Sequence, residues 1–197
     1  MSKVAILGSG DVGKTLAKGF EKHGYEVKQV SRGEFASASK WADIVVLAVK
    51  GTVAESALDT AGAENLAGKP VLDATNPIAE EKPENGVIRY FTGPNESLME
   101  RLQAKFPSAK LVKCFSCVGN AFMVNPDFGG TKPTMFICGN DAGAKETTKG
   151  ILDKFGWETA DMGTVTSARA IEPLCILWCL PGFLNNQWTH AFKLLKK

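Results

Sequence analysis

The chain has 197 residues, 44% of them hydrophobic and 22% charged, and its 23 basic and 21 acidic side chains leave a formal net charge of +2. That balance belongs to an ordinary folded domain, not a disordered or fibrous one, and the even spread of charge, with no block of one sign, excludes a nucleic-acid footprint. No run of about 18 apolar residues occurs, so no membrane insertion is expected. The N-terminus enters a strand without the segments of a signal peptide, so the expected location is cytoplasmic.

In chain order, Lys3 to Leu7 is a short apolar run ending in glycines, and Gly13 to Lys22 carries Leu16, Ala17 and Phe20 at helical spacing. Gly24 closes that helix and Tyr25 to Val30 reads as a second strand, completing a βαβ unit of about thirty residues. A short helix over Ser37 to Ala42, a buried strand over Asp43 to Val49 and a helix over Val53 to Ala61 follow. Val71 to Ala74 is the next buried strand, and the polar, turn-rich stretch from Glu80 to Thr92 reads as a surface excursion suited to substrate contacts.

Ser97 to Phe106 is amphipathic, Lys110 to Phe115 is a strand, and Ser116 to Lys132, rich in glycine, asparagine and proline, predicts a mobile loop. Thr134 to Cys138, Ala142 to Phe155 and Glu158 to Met162 give strand, helix and strand, and the tail from Ala168 to Leu195 reads as mostly helical, interrupted at Pro173 and at Pro181-Gly182. The alternation predicts an α/β fold: a Rossmann-type doubly wound, mostly parallel sheet with a small C-terminal α/β and helical annex. Residues 1–125 are expected to bind the dinucleotide, and residues 126–197 to complete the sheet and the second side of the cleft.

Gly8-Ser9-Gly10-Asp11-Val12-Gly13 matches Gly-X-Gly-X-X-Gly between a predicted strand and helix, the context in which the pattern binds a dinucleotide. Gly8 permits a tight turn, Gly10 lets the backbone approach a pyrophosphate, and Gly13 lets helix and strand pack closely. The helix start supplies free N–H donors. Where an NAD-binding chain has a carboxylate for the ribose hydroxyls, this one has Ser31-Arg32-Gly33. A guanidinium fork and a hydroxyl there suit a 2′-phosphate and select NADP(H); a solvated loop arginine near Glu34 is the alternative.

Ala48-Val49-Lys50 and Thr75-Asn76-Pro77 end consecutive strands and are expected to border the nicotinamide, although Asn76-Pro77 also makes a good simple turn. His23 and His190 have no carboxylate at an orienting spacing, so neither reads as a general base and no catalytic residue is assigned. Hydride transfer between two bound rings needs orientation and dryness more than an acid or base. The five cysteines, Cys114, Cys117, Cys138, Cys175 and Cys179, lie in apolar stretches and suit reduced, buried thiols. A four-thiolate zinc site is conceivable from their spacing, but knuckle turns are missing and no metal is expected.

Val4 to Gly13, Ser31-Arg32, Asp43 to Val49, Asp73 to Pro77, Lys113-Cys114-Phe115 and Arg169-Ala170-Ile171-Glu172-Pro173 together resemble the coenzyme F420-dependent NADP oxidoreductase family, in order and over nearly the whole chain. The resemblance implies reversible hydride exchange between NADP(H) and a deazaflavin such as coenzyme F420, or a flavin, as second substrate. It implies Ser9, Ser31 and Arg32 around the 2′-phosphate, Ala48, Val49 and Asn76 beside the nicotinamide, and Val118 and Gly119 as a wall for the second ring. Two departures stand out: Phe115-Ser116-Cys117 where the family commonly has Phe-Asn-Thr, and Ala36 where a basic residue supports the phosphate.

The sequence thus supports an NADPH-dependent enzyme with a small-molecule electron acceptor, its runner-up, a flavin or ferric reductase on the same frame, and a non-catalytic NADP(H)-sensing module. The apolar tail, with Leu174, Ile176, Leu177, Trp178, Leu180, Phe183, Leu184 and Trp188, predicts a homodimer contact, with core burial as the alternative.

Overall fold

Alternate residues of a strand face opposite sides of its sheet, and in β1 (Lys3–Leu7) both sides are dry: Val4 and Ile6 pack in one core, Ala5 and Leu7 in the other, and all four are fully buried. The computed structural model describes residues 1–197. After β1 come α1 (Asp11–Lys22), β2 (Glu26–Val30), α2 (Phe35–Trp41), β3 (Ile44–Leu47), α3 (Ala54–Ala61), α4 (Ala63–Leu66) and β4 (Pro70–Asp73). They are followed by α5 (Leu98–Lys105), β5 (Lys110–Lys113), β6 (Thr134–Ile137), α6 (Ala142–Lys154), β7 (Glu158–Asp161), α7 (Ala168–Ile171) and α8 (Leu174–Asn185).

The first five strands form one parallel sheet in the order β2-β1-β3-β4-β5. The chain steps outward from β1 to β2 and then returns to β3 on the other side of β1, so strand order reverses between β1 and β3. A crevice for a ligand opens at the carboxyl ends of strands at such a point. Phe35, Ala38, Leu58, Leu98 and Leu102 cover one face of the sheet, while Leu16, Phe20, Ile151 and Leu152 cover the other. β6 and β7 form a separate parallel pair, joined to β5 through an antiparallel bridge between Lys113 and Cys138. Met135 and Ile137 of β6 enter the same core as Val4, Ile6 and Phe20.

Two sequence expectations change. The Ser116–Lys132 segment is not loose throughout: Cys117, Val118 and Met123 are buried, and Met123 O accepts from Trp157 Nε1 at 2.9 Å. Polar turn residues hide the apolar anchors spaced among them. The tail is helical only to Asn185, and Pro181 sits inside α8 without ending it. Asn186 stops the helix in a left-handed conformation, which asparagine tolerates. The turn lays the Trp188 ring on Gly182, where a Cβ would lie 2.3 Å from that ring. From there the chain runs back beside β6, Thr134 N–H donating to Phe192 O at 2.8 Å.

The helical run Val165–Asn185, of mean hydropathy 1.2, is long and apolar enough to cross a membrane by length and composition alone, and about a third of it is buried in the fold. Its charged residues tie it to the domain, Arg169 to Glu100 at 2.7 Å and Glu172 to Lys113 at 2.9 Å.

Candidate functional site: a dinucleotide cleft

In the glycine loop, Gly8 and Gly13 pack tightly and Gly10 does not. Gly8 has φ +138°, and a Cβ on it would lie 2.1 Å from Ala48 O; a Cβ on Gly13 would lie 2.3 Å from Gly8 O. A Cβ on Gly10 would meet nothing within 4 Å, so the backbone there stands open to a ligand. Gly10 is the N-cap of α1 and brings no side-chain cap, and the first helical amide bond runs from Lys14 N–H to Gly10 O at 2.9 Å. The amides of Asp11, Val12 and Gly13 therefore lack intrahelical acceptors at the positive end of a 12-residue helix, the arrangement that receives a pyrophosphate. Gln29, to which sequence reasoning gave no role, steadies the loop by donating from Nε2 to Gly8 O at 3.0 Å.

Beyond β2, Ser31 and Arg32 are exposed, and neither Arg32 nor Glu34 takes part in an ion pair. Arg32 edges a slot of about 140 Å³ shared with Phe35, Val49, Val53, Ser56 and Ala57. Ala36 is exposed on the same turn of chain and adds no charge.

At the other end a cleft of about 550 Å³ collects Val12, Val49, Lys50, Gly51, Ala74, Thr75 and Asn76 from three βα junctions. It brings together five of the residues singled out from sequence, Val12, Val49, Lys50, Thr75 and Asn76. Ser9, Gly10 and Asp11 are exposed; Ala48 and Pro77 are buried. Val118 is also buried, and Gly119 lies under Trp178, whose ring a Cβ would approach to 2.5 Å. Those two residues do not line the cleft; their loop meets it through Ser116 O, which accepts from Asn76 Nδ2 at 2.7 Å. Asn76 Oδ1 and Ser116 Oγ are buried with no partner. Each is left needing a hydrogen bond that a water or a bound group can supply.

A larger groove, of about 880 Å³, runs from Gly51 between α3 and α5. Its two cations are already engaged, Lys105 by Asp59 at 2.6 Å and Arg101 by Glu96 at 2.6 Å, which leaves none for phosphates.

Beneath the cleft, Lys113 Nζ lies 2.7 Å from Asp73 Oδ2 and 2.9 Å from Glu172 Oε1, with Lys113 and Asp73 fully buried and Glu172 nearly so. Burial alone would lower the Lys113 pKa, but the two carboxylates outweigh it and hold the ammonium up at about 12. Glu172 also accepts the amides of Leu98 and Met99 at 3.0 Å each, closing the start of α5 beside the Ser97–Glu100 capping box. Sequence reasoning missed this cluster as a unit. Its signal was a charge set inside each of two apolar strands, Val71-Leu72-Asp73 and Leu111-Val112-Lys113, since buried charges need partners.

Phe115, just past β5, holds φ +63° with its ring buried, a conformation that costs a non-glycine residue on the order of 1–3 kcal/mol. It turns the chain toward Ser116. Burial pushes the Cys117 and Cys138 thiols up to about 12 and Cys114 well above its ordinary value, so all three are protonated at neutral pH. No three metal-ligating side chains converge anywhere. His23 bonds Asn125 Oδ1 at 3.1 Å, and His190 bonds Trp178 O at 2.9 Å, so both are engaged outside the cleft.

A parallel sheet reversing between β1 and β3, an open glycine loop and an arginine where a carboxylate would select NAD define a Rossmann-fold oxidoreductase that uses NADP(H). Residues 3–41 match the model of the family described as NADP oxidoreductase, coenzyme F420-dependent. Over the full length of both chains the structure is similar, with TM-score 0.93 and 30% identity, to that of a protein from Arthrobacter sp. FB24 provisionally described as an F420-dependent NADP-reductase. The chain belongs to this family. It is also 28% identical, over 92% of its length, to metalloreductase STEAP3 of Rattus norvegicus, of which it spans 39%. A hypothetical protein from Sinorhizobium meliloti shares the fold, with TM-score 0.72 at 22% identity over 100% of this chain and 97% of that one.

Proposed function

We propose that the chain transfers hydride between NADP(H) and a planar flavin-type acceptor, with a deazaflavin such as coenzyme F420 as the first candidate. The carrying observation is the glycine loop that leaves Gly10 open while Gly8 and Gly13 pack tight, aligned along one sheet edge with an unpaired Arg32 and a largely apolar cleft beside Asn76. The cofactor supplies the hydride at its nicotinamide ring. The α1 amides bind its pyrophosphate, Ser31 and Arg32 grip the 2′-phosphate with Ser9 alongside, and the slot beside Arg32 takes the adenine. Val12, Val49 and Ala74 exclude water around the ring, while Asn76 orients it. No side chain needs to exchange a proton with the ring.

The likeness to a protein named as a metalloreductase supports a second reading, a flavin or ferric reductase on the same frame. A third, an NADP(H)-sensing module, needs only the binding half of the site. We further propose that the chain forms a homodimer through α8, where Leu177, Phe183 and Leu184 are each about half exposed beside Trp188.

Absorbance at the nicotinamide band decides among these when NADPH is mixed with the protein and F420, FMN, riboflavin or a ferric chelate in turn. Rapid oxidation with F420 is the expected result. Oxidation by FMN or a ferric chelate alone selects the second reading, and tight NADPH binding with none of the acceptors consumed selects the sensor. A sedimentation boundary of a monomer at micromolar concentration overturns the dimer.

A further inference from the structure

Every polar group of the Thr75 peptide ends on the buried charge cluster. Thr75 N–H and Oγ1–H donate to Asp73 Oδ1 at 2.9 and 2.6 Å, and Thr75 O accepts from Lys113 Nζ at 2.9 Å. Lys113 is clamped between Asp73 and Glu172, and Glu172 is fixed in turn by the first amides of α5. None of these charges has water to turn to, so displacing any of them leaves a buried ion without its partner, and the arrangement is stiff.

Asn76, the next residue, is held on its other side as well. Its carbonyl packs on Gly51, where a Cβ would lie 2.0 Å away, and accepts Ile78 N–H at 2.8 Å. Its Nδ2 is committed to Ser116 O. With backbone and amide nitrogen fixed, the one uncommitted polar atom is the buried Oδ1.

We propose that Thr75, Asp73 and Lys113 are positioning residues that set Asn76 against the nicotinamide half of the cofactor, and that Glu172 lets the C-terminal segment hold that placement. The inference rests on the reading above that this cleft takes the nicotinamide half of NADP(H). A side chain so fixed loses little freedom on binding, so its contacts with the ligand are realised at little entropic cost. The cluster then governs the nicotinamide half of the cofactor and leaves the adenosine half untouched. A purely structural cluster would affect both halves alike.

The full-length protein is titrated with NADPH and with 2′,5′-ADP, which carries the adenosine and 2′-phosphate but no nicotinamide, while circular dichroism monitors folding. Asn76→Ala and Thr75→Val should each weaken NADPH by about three- to tenfold, the size of one hydrogen bond. Both should leave 2′,5′-ADP within about twofold, and Thr75→Ser should restore NADPH binding. Lys113→Met, if it folds, should show the same selective loss; if it does not fold, the Thr75→Val titration decides the question.

Thr75→Val that binds NADPH normally while Asn76→Ala does not overturns the positioning role and leaves the cleft assignment standing. Equal losses of both ligands in folded Thr75→Val reduce the cluster to a structural one. Normal NADPH binding by Asn76→Ala removes the cleft assignment, and this inference falls with it.

Discussion

At the end of the cleft proposed for the adenosine, the groups offered to a ligand come from two neighbouring turns, Gly8–Gly13 and Ser31–Glu34, and Ser9, Gly10, Asp11, Ser31 and Arg32 are exposed. At the end proposed for the nicotinamide, Thr75 and Ser116 are buried, Asn76 is half-buried, and Lys113, itself held by Glu172, reaches Thr75 from far along the chain. On the proposed reading the first end would bind with backbone amides and a solvated guanidinium, whose strength falls with salt. The second depends on groups locked in a dry interior, where geometry is costly to disturb and salt has little reach. An open end suits a flexible phosphate chain, and a locked end suits a ring that must be held at one angle for hydride transfer.

The largest expected effect strikes the locked end. Lys113→Met leaves Asp73 and Glu172 facing each other without a cation and should cost about 3–5 kcal/mol in urea denaturation; a loss under about 1 kcal/mol would show that the cluster is not what stiffens this end. The same lysine sets a pH window. Its folded pKa, held at about 12, stands above the ordinary 10.5, so its contribution to stability is complete below about 10.5 and is lost as pH rises through about 12. Denaturation midpoints across that range should fall more in the wild type than in Lys113→Met.

Next in size comes the open end. Arg32→Ala should weaken NADPH by about 1.5–3 kcal/mol, or roughly ten- to a hundred-and-fifty-fold, and change NADH little. That loss should shrink as salt rises, since an exposed pair is screened over about 8 Å at physiological ionic strength. Fluorescence titration with both nucleotides at two salt concentrations checks it, and equal losses for the two would mean that Arg32 supports the adenine or the fold and not the phosphate.

Ser97→Ala removes a cap from α5 and should cost about 1 kcal/mol in thermal or urea unfolding. The cost stays small because Glu172 still holds the amides of Leu98 and Met99. A cost well above that would place the Ser97–Glu100 box, not Glu172, in charge of this helix start. The smallest effect is expected from Cys117→Ser. Its thiol, pushed to about 12 by burial, is no nucleophile at neutral pH, and turnover should stay within about threefold. Complete loss of turnover with normal NADPH binding would give the thiol a direct part in the chemistry.

By itself, the sequence determined the open end almost entirely. The open Gly10, the tight Gly13 against Gly8 O, the helix that follows and the arginine after the second strand are consequences of neighbours along the chain, while the close approach of Ala48 O to Gly8 comes from the next strand in the sheet. Strand and helix periods likewise follow from adjacent residues, and the run of buried strands was evident from their apolar character. Tertiary structure alone decided that β1 lies between β2 and β3, that β6 and β7 pair apart from the main sheet, and that the chain after Asn186 runs back along β6 instead of continuing as helix. It alone also decided that Gln29 braces Gly8, and that Asp73, Lys113 and Glu172 converge under Asn76. A charge within an apolar strand announces that it needs a partner, but which distant residue supplies it depends on where two separately folded segments come to rest, and no local spacing encodes that distance.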